Sequence, residues 1–428
     1  MKILGVGDVF IAKRLPNKYY DGFEEISNLI KKHDACFGNL ETTVHKNEGY
    51  PSLFPGGGYA MASPHCLADL KEFGFNVFNI GNNHALDYSH KGLEATINYL
   101  NNVGLPYVGA GINIVDASMP KYVDCSDGRV AFIGVTSSFH DSDAAGPQGG
   151  ICSGRPGVNP LRREEFYEVT DELYSSLREV AEKTGMNDVY KWAISNGYRE
   201  EPKEVFLREM KFVRGNQNRK ITHPLKVDTD RIKKSIAEAK FQADCVVVSI
   251  HTHQMDGSPE KPAEFIKDFC HECIDDGANI IFGHGVHELR GVEIYNGAPI
   301  FYGLGDFIFH NEMVETMPFE FYERIKQCPE FFDCVGLGMK LRSKDGKIGL
   351  HSNPKAWESV MASVDYKNNE IKRIEIYPIS LGYEKGRTQR GWPVIDKNNK
   401  IINYFGSISK MQYGTVLTID KNHVTINI

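Results

Sequence analysis

Asp8, Glu41, Asn83, His251, His253 and His287 offer only carboxylate oxygen, amide oxygen and imidazole nitrogen. That is the donor set of Mn²⁺, Zn²⁺, Fe²⁺ or, with fewer imidazoles, Ca²⁺. Each follows or closes an apolar run of strand length: "KILGVGDVF" carries Asp8, "ACFGNLE" ends in Asn39 and Glu41, and "FNVFNIGNNH" ends in Asn83 and His84. "DCVVVSIHTH" ends in His251 and His253, and "ANIIFGHGVH" in His284 and His287. A single stretch such as "GNNH" reads equally well as a turn, because Asn and Gly tolerate left-handed backbone. Recurrence of ligand-type residues at five run ends favours a site holding one or two divalent ions. A carboxylate such as Glu41 can bridge two ions about 3.5–4 Å apart, which activates water and clamps a phosphoryl oxygen. Asn83 and His84 are consecutive and cannot easily serve one ion together, so Asn83 is assigned to metal and His84 to proton transfer, with Asp87 orienting the imidazole.

These ends must be brought together by an α/β arrangement. The apolar runs alternate with helical patterns: "SHKGLEATINYLNNVG" places Leu93, Ile97 and Leu100 on one face, with Ser89 as expected N-cap and Gly104 as stop. "PAEFIKDFCHECIDDGA" reads as a helix starting after Pro262 and ending at Gly277. Such alternation makes consecutive strands parallel and puts ligands beyond their carboxyl ends. Residues 141–240 read as a helical and loop insertion, Gly/Pro-rich at its entry, expected to cover the site and to bring Arg155 and Arg163 toward it. Residues 311–428 read as a β-rich extension, with a hairpin turn from Lys367 to Glu370.

Composition excludes several classes. Hydrophobic residues at 41%, charged residues at 25% and aromatic residues at 11% describe a folded globular chain of 428 residues. With 49 basic against 56 acidic side chains the net charge is -7, so no global basic field draws it to nucleic acid. The opening "MKILGVGDVF" is too short for a secretory signal and no run reaches spanning length, which predicts a cytoplasmic protein with no membrane span. Nine cysteines without regular spacing fit a reduced compartment, and the lone Cys270–Cys273 pair in "FCHEC" is read as packing rather than zinc binding.

Together "GDVF", "NLE", "NIGNNHALDYSHKGLEATINYL", "VGAG", "SIHTH" and "IIFGHGVHELRGVEIYNGAPIFYGLGDFIF" resemble the CapA-like capsule and poly-γ-glutamate synthesis family, within the calcineurin-like metallophosphoesterase superfamily. The resemblance is close over residues 1–135 and 244–310. It implies a single metallophosphoesterase-like domain folded as a four-layer α-β-β-α sandwich, with a metal centre at the strand ends. By that resemblance Asp8 matches the first-strand aspartate, Glu41 the bridging carboxylate, Asn83 the amide ligand and His84 the adjacent acid. His251 matches the single histidine of the next strand and His287 the end of the last metal motif. Two imidazoles of the superfamily pattern are missing: Phe10 stands two residues after Asp8, and the closing motif reads Gly285-Val286-His287. His253 or His284 is expected to replace one, and His284 is also a candidate for catalysis beside His84 and Asp87. Capsule-synthesis members commonly carry an N-terminal membrane segment, which the opening of this sequence does not show.

The expected function is a metal-dependent hydrolase acting on a small anionic or peptide-like substrate, with proton transfer by His84. One alternative is acid/base chemistry without hydrolysis, such as peptide epimerisation between two facing bases, His84 and His251 or His253. Another is a non-catalytic component of polymer synthesis. Arg155, Arg387 and Arg390 are the candidates for binding the substrate's anionic group.

Overall fold

Neighbouring side chains on the central strands enter different apolar clusters. Ile3 joins one and Leu4 and Val6 another; Val247 joins the first of these while Val246 and Val248 join a third. A strand alternates its side chains between the two faces of its sheet, and burial of both faces makes it read as an unbroken apolar run. The computed structural model describes residues 1–201, 205–207, 210–325, 335–420 and 423–426. It is mixed α/β, with several sheets and eleven α-helices among the described residues.

The larger sheet has ten strands. Its centre runs Glu358–Lys367, Lys2–Phe10, Ala35–Asn39, Val77–Asn79 and Tyr107–Val108, parallel from Lys2 onward. Asp306–Phe309 also pairs parallel with Lys2–Phe10. The second sheet has six strands in the order Leu289–Tyr295, Ala298–Leu304, Ile280–Gly285, Cys245–Thr252, Gly128–Thr136, Lys121–Cys125. Phe37 from one sheet stacks on Phe132 and Phe282 from the other, at ring separations of 5.5 and 6.0 Å, inside the cluster that both sheets share. Helices Cys66–Phe73 and Ser89–Val103 contribute to the cluster on the other face of the larger sheet. Lys226–Gln242 and Glu264–Asp275 contribute to the cluster on the other face of the smaller one, where Cys270 and Cys273 are buried as packing residues.

Local expectations fare unevenly. Gly104 does close its helix in the left-handed conformation (φ 67°), and the hairpin turns at Asn368 and Asn369 between Lys367 and Glu370. Ser89 is not the N-cap: it is the first helical residue at φ 60°, and its hydroxyl donates to the Tyr50 carbonyl at 2.9 Å. Within 141–240 the helical expectation holds over Asp171–Lys183 and Asp188–Ser195, but the charged Arg163–Val169 is a strand in a separate four-stranded sheet. Its charges pair across strands, Glu165 with Lys220 at 3.1 Å and Glu168 with Arg219 at 2.6 Å, which is why they imitate an exposed helix in sequence. The last helix of that segment belongs to the core through Ile232, Ile236 and Ala239. The strands Glu358–Lys367 and Glu370–Ser380 are likewise central rather than an extension, since the first pairs directly with Lys2–Phe10.

The chain passes from the smaller sheet to the larger at Gly305 (φ 77°), and there the backbones nearly touch. A Cβ on Gly7 would lie 1.8 Å from the Gly305 carbonyl oxygen, with backbone on both sides. Gly7→Ala is therefore expected to lower stability by about 1–3 kcal/mol, the usual cost of overpacking. Urea denaturation checks this, and an unchanged midpoint would contradict it.

Candidate metal centre

Strand register places the acids and imidazoles in one layer. Asp8 is opposite both Asn39 and Asp306 in the larger sheet, and His251 is opposite His284 in the smaller. Asp8 links the two sheets: one carboxylate oxygen accepts from Asn39 Nδ2 at 2.7 Å, the other from the Gly285 amide at 2.8 Å. His251 Nε2 lies 2.6 Å from Asn83 Oδ1 and 3.6 Å from Glu41, while its Nδ1 lies 3.0 Å from His284 Nδ1. His287, held at φ 60°, contacts Asp306 through Nδ1 at 2.8 Å and comes within 3.9 Å of Asp8 and 3.8 Å of Glu41. Left-handed backbone at a non-glycine residue costs energy and persists where the surroundings fix it.

Among the described residues three groupings of ligand atoms result: Asp8–His251–His284, Glu41–His251–His253, and Asp8–Glu41–His287–Asp306, the atoms of each within 4.8 Å of one another. Glu41 is fully buried, yet neither of its carboxylate oxygens has a hydrogen-bond partner; Asp306 Oδ2 and His253 Nε2 are also buried without one. A buried carboxylate without partners costs several kcal/mol unless a cation compensates it. The donor set, oxygen and imidazole without thiolate, fits a hard or borderline divalent ion. In the protein alone the electrostatics are correspondingly strained. Burial pushes Asp8 up to about 7, and burial together with the neighbouring Asp8 charge raises Glu41 well above the carboxylate range. Burial lowers His253 and His284 to about 3. His287 resists burial and rises, because Asp306, Glu41 and Asp8 surround it.

The stretch "GNNH" divides its work among its residues. Asn82 fastens the turn, donating to the Leu40 carbonyl at 2.9 Å and accepting from the His84 amide at 3.1 Å. Asn83 reaches His251 and donates to the Gly56 carbonyl at 2.7 Å. His84 Nδ1 bonds Asp87 Oδ2 at 2.6 Å, which leaves Nε2 as its other ring nitrogen. Both side chains border a cavity of ≈ 350 Å³ that His253 and His287 also line, with apolar walls including Phe10 and Phe309.

Other expected residues stand elsewhere. His284 is buried beneath this wall, 2.7 Å from Ser249 Oγ and 3.5 Å from Asp8, so it is placed among the possible ligands and not on the substrate side. Arg155, Arg387 and Arg390 do not line the cavity; Arg155 donates to the Ala144 carbonyl, Arg387 to the Glu312 carbonyl, and Arg390 to the Glu312 carboxylate. None of the described residues of 141–240 lines it either, and Arg163 pairs with Glu165 in the separate sheet. Among the described residues the cavity's one permanent cation is Arg342, which the sequence reading missed, as it missed Asp306. Asp306 did leave a signal: "GLGDFI" repeats the Gly-x-Gly-Asp of "GVGDVF" around Asp8, its register partner.

A model of the family described as bacterial capsule synthesis protein PGA_cap matches residues 2–311. The chain belongs to this family. It is 30% identical over 430 residues to the uncharacterized protein y4sH of Sinorhizobium fredii, covering 98% of this chain and 91% of that one. It is 27% identical over 318 residues to the capsule biosynthesis protein CapA of Bacillus anthracis, covering 73% and 60% respectively. A hypothetical protein of solved structure from Thermus thermophilus aligns over 88% of this chain and 98% of its own, with a TM-score of 0.41 and 11% identity. All the ligand-type residues of the groupings lie within the PGA_cap match, and Arg342 lies beyond it. No helix among the described residues is long and apolar enough to cross a membrane.

Asp87 accepts from the Gly56 amide at 2.8 Å and the Ala60 amide at 2.6 Å as well as contacting His84. Asp87→Ala would orphan both amides, at about 1–3 kcal/mol each. It is expected to destabilise the protein measurably in urea, and stability equal to wild type would show that these bonds do not hold the loop.

Proposed function

We propose that this PGA_cap protein is a metal-dependent hydrolase with a small anionic or peptide-like substrate, its whole chain acting as one domain of the metallo-dependent phosphatase type, a four-layer α-β-β-α sandwich, in the cytoplasm. The observation that carries this reading is Glu41, a buried carboxylate with no hydrogen bond to either oxygen, set among Asp8, Asp306, His251, His253 and His287. These residues, with Asn83 and His284 at the edges, would hold one or two divalent ions. A bound Mn²⁺, Zn²⁺, Fe²⁺ or Ca²⁺ supplies Lewis acidity toward a carbonyl or phosphoryl oxygen. The chain supplies the rest: Asp87 fixes the His84 ring through Nδ1, and His84 Nε2 transfers the proton that the leaving group or attacking water requires. The apolar cavity walls limit water around the reacting atoms.

One observation favours a second reading. His84 and His253 both line the cavity, as two bases exchanging an α-proton in an epimerisation would.

Protein purified without chelator is expected to carry a divalent metal by elemental analysis and Glu41→Gln to lose it. His84→Ala is expected to keep the metal while turnover falls about 10²–10⁴-fold. Product labelled with ¹⁸O from water supports hydrolysis; exchange of a substrate α-proton without cleavage supports epimerisation. A metal-free wild type that also ignores added Mn²⁺, Zn²⁺ and Ca²⁺ would falsify the reading.

A further inference from the structure

The cavity is acidic at its base and carries a further carboxylate, Glu288, on its wall, where the only permanent cation among the described residues is Arg342. The position of Arg342 is set from outside the PGA_cap match, by the helix Val335–Arg342. Val335 and Met339 of that helix are buried in a cluster with Tyr59, Tyr88 and Phe321, so the guanidinium is delivered by packed structure. Its Nη2 donates to the Gly57 carbonyl at 3.1 Å, and no carboxylate among the described residues forms an ion pair with it. Arg324 stands near it with the same sign of charge, over the Tyr59 ring at 5.9 Å and donating to the Leu53 carbonyl at 2.8 Å; it too has no ion pair among the described residues. Partial desolvation and then the Arg324 charge push the Arg342 guanidinium below its ordinary value, while both arginines are exposed to solvent. With no carboxylate on either among the described residues, both guanidinium groups are open to an anion from solution, and guanidinium geometry suits a carboxylate or phosphate held by paired N–H groups.

We propose that Arg342, backed by Arg324, is the specificity-determining anion subsite of this cavity, holding a carboxylate or phosphate of the substrate away from the reacting group. The subsite rests on the reading that this cavity is where substrate binds. It adds to a cavity lined by His84, His253 and His287 a cation that suits an anionic group of the ligand.

Calorimetric titration at low salt with acetylated tetra-glutamate, acetylated tetra-glutamine and phosphoserine tests the proposal. Wild type is expected to bind at least one of the two anionic probes, and to prefer tetra-glutamate to tetra-glutamine if the group is a carboxylate or phosphoserine to both if it is a phosphate. Arg342→Gln should weaken the preferred anion about tenfold or more, the size expected of a charge-assisted hydrogen bond. Arg342→Lys should recover part of that loss, and Arg178→Gln, on an exposed helix, should change nothing. The proposal is overturned if wild type and Arg342→Gln bind the anions alike, if wild type binds neither, or if tetra-glutamine binds as well as both. Metal content measured on the same samples separates the two claims. A metal-free protein that still discriminates by charge through Arg342 contradicts the metal reading alone, and a metal-loaded protein indifferent to Arg342 contradicts the subsite alone.

Discussion

Asp8, Glu41 and Asp306 are fully buried side by side, and this concentration of carboxylates is the constraint around which the rest of the molecule is arranged. Three such groups cannot all ionise in a protein interior without compensating charge, since desolvation and mutual repulsion both favour the protonated forms. The protein provides part of the compensation through the Asn39 amide, the backbone amide of Gly285 and His287. Glu41 has the His287 ring 3.8 Å away but no hydrogen bond to either oxygen. Buried ion clusters are poor contributors to stability, so this arrangement is not accounted for by holding the fold together.

The acids come from one sheet, Asp8 and Asp306 from paired strands and Glu41 from just beyond Ala35–Asn39, and the second sheet must meet it there to add the imidazoles. Gly7 and Gly305 permit the closest approach, and the chain changes sheets at Gly305, so Asp8 and Asp306 issue side by side from parallel strands. The smaller sheet contributes the imidazoles from Cys245–Thr252 and just beyond Ile280–Gly285. Stacked phenylalanines between the sheets hold the separation that lets His251 reach both Asn83 and the neighbourhood of Asp8. Packing thus sets the distances on which the electrostatics depend.

Much of this was legible in the sequence because strand ends carry their ligands immediately after an apolar run, and a parallel strand's end is the place where a ligand binds. Glu41, His251 and His287 follow that rule, Asp8 lies two residues before the end of its strand, and the structure brings them together. Asp306 escaped because its apolar run continues through "DFIFH", so the residue opens a strand instead of closing one. The arginines could not be sorted by type: whether a guanidinium faces the cavity or a neighbouring carbonyl depends on how distant loops pack, which local pattern does not encode. The strand at Arg163 was hidden for a related reason, since an exposed sheet held by cross-strand ion pairs has the composition of a solvated helix.

The central claim is that the uncompensated carboxylates are a metal site, and the most direct measurement is anomalous diffraction from crystals soaked in Mn²⁺ or Zn²⁺, collected at the absorption edge of the ion. The account predicts a peak among Asp8, Glu41, His287 and Asp306, or between Glu41, His251 and His253, with the Glu41 oxygens on the ion. Crystals showing no anomalous peak at these residues at millimolar metal, with the His287–Asp306 contact unchanged and Glu41 still unpartnered, would contradict it.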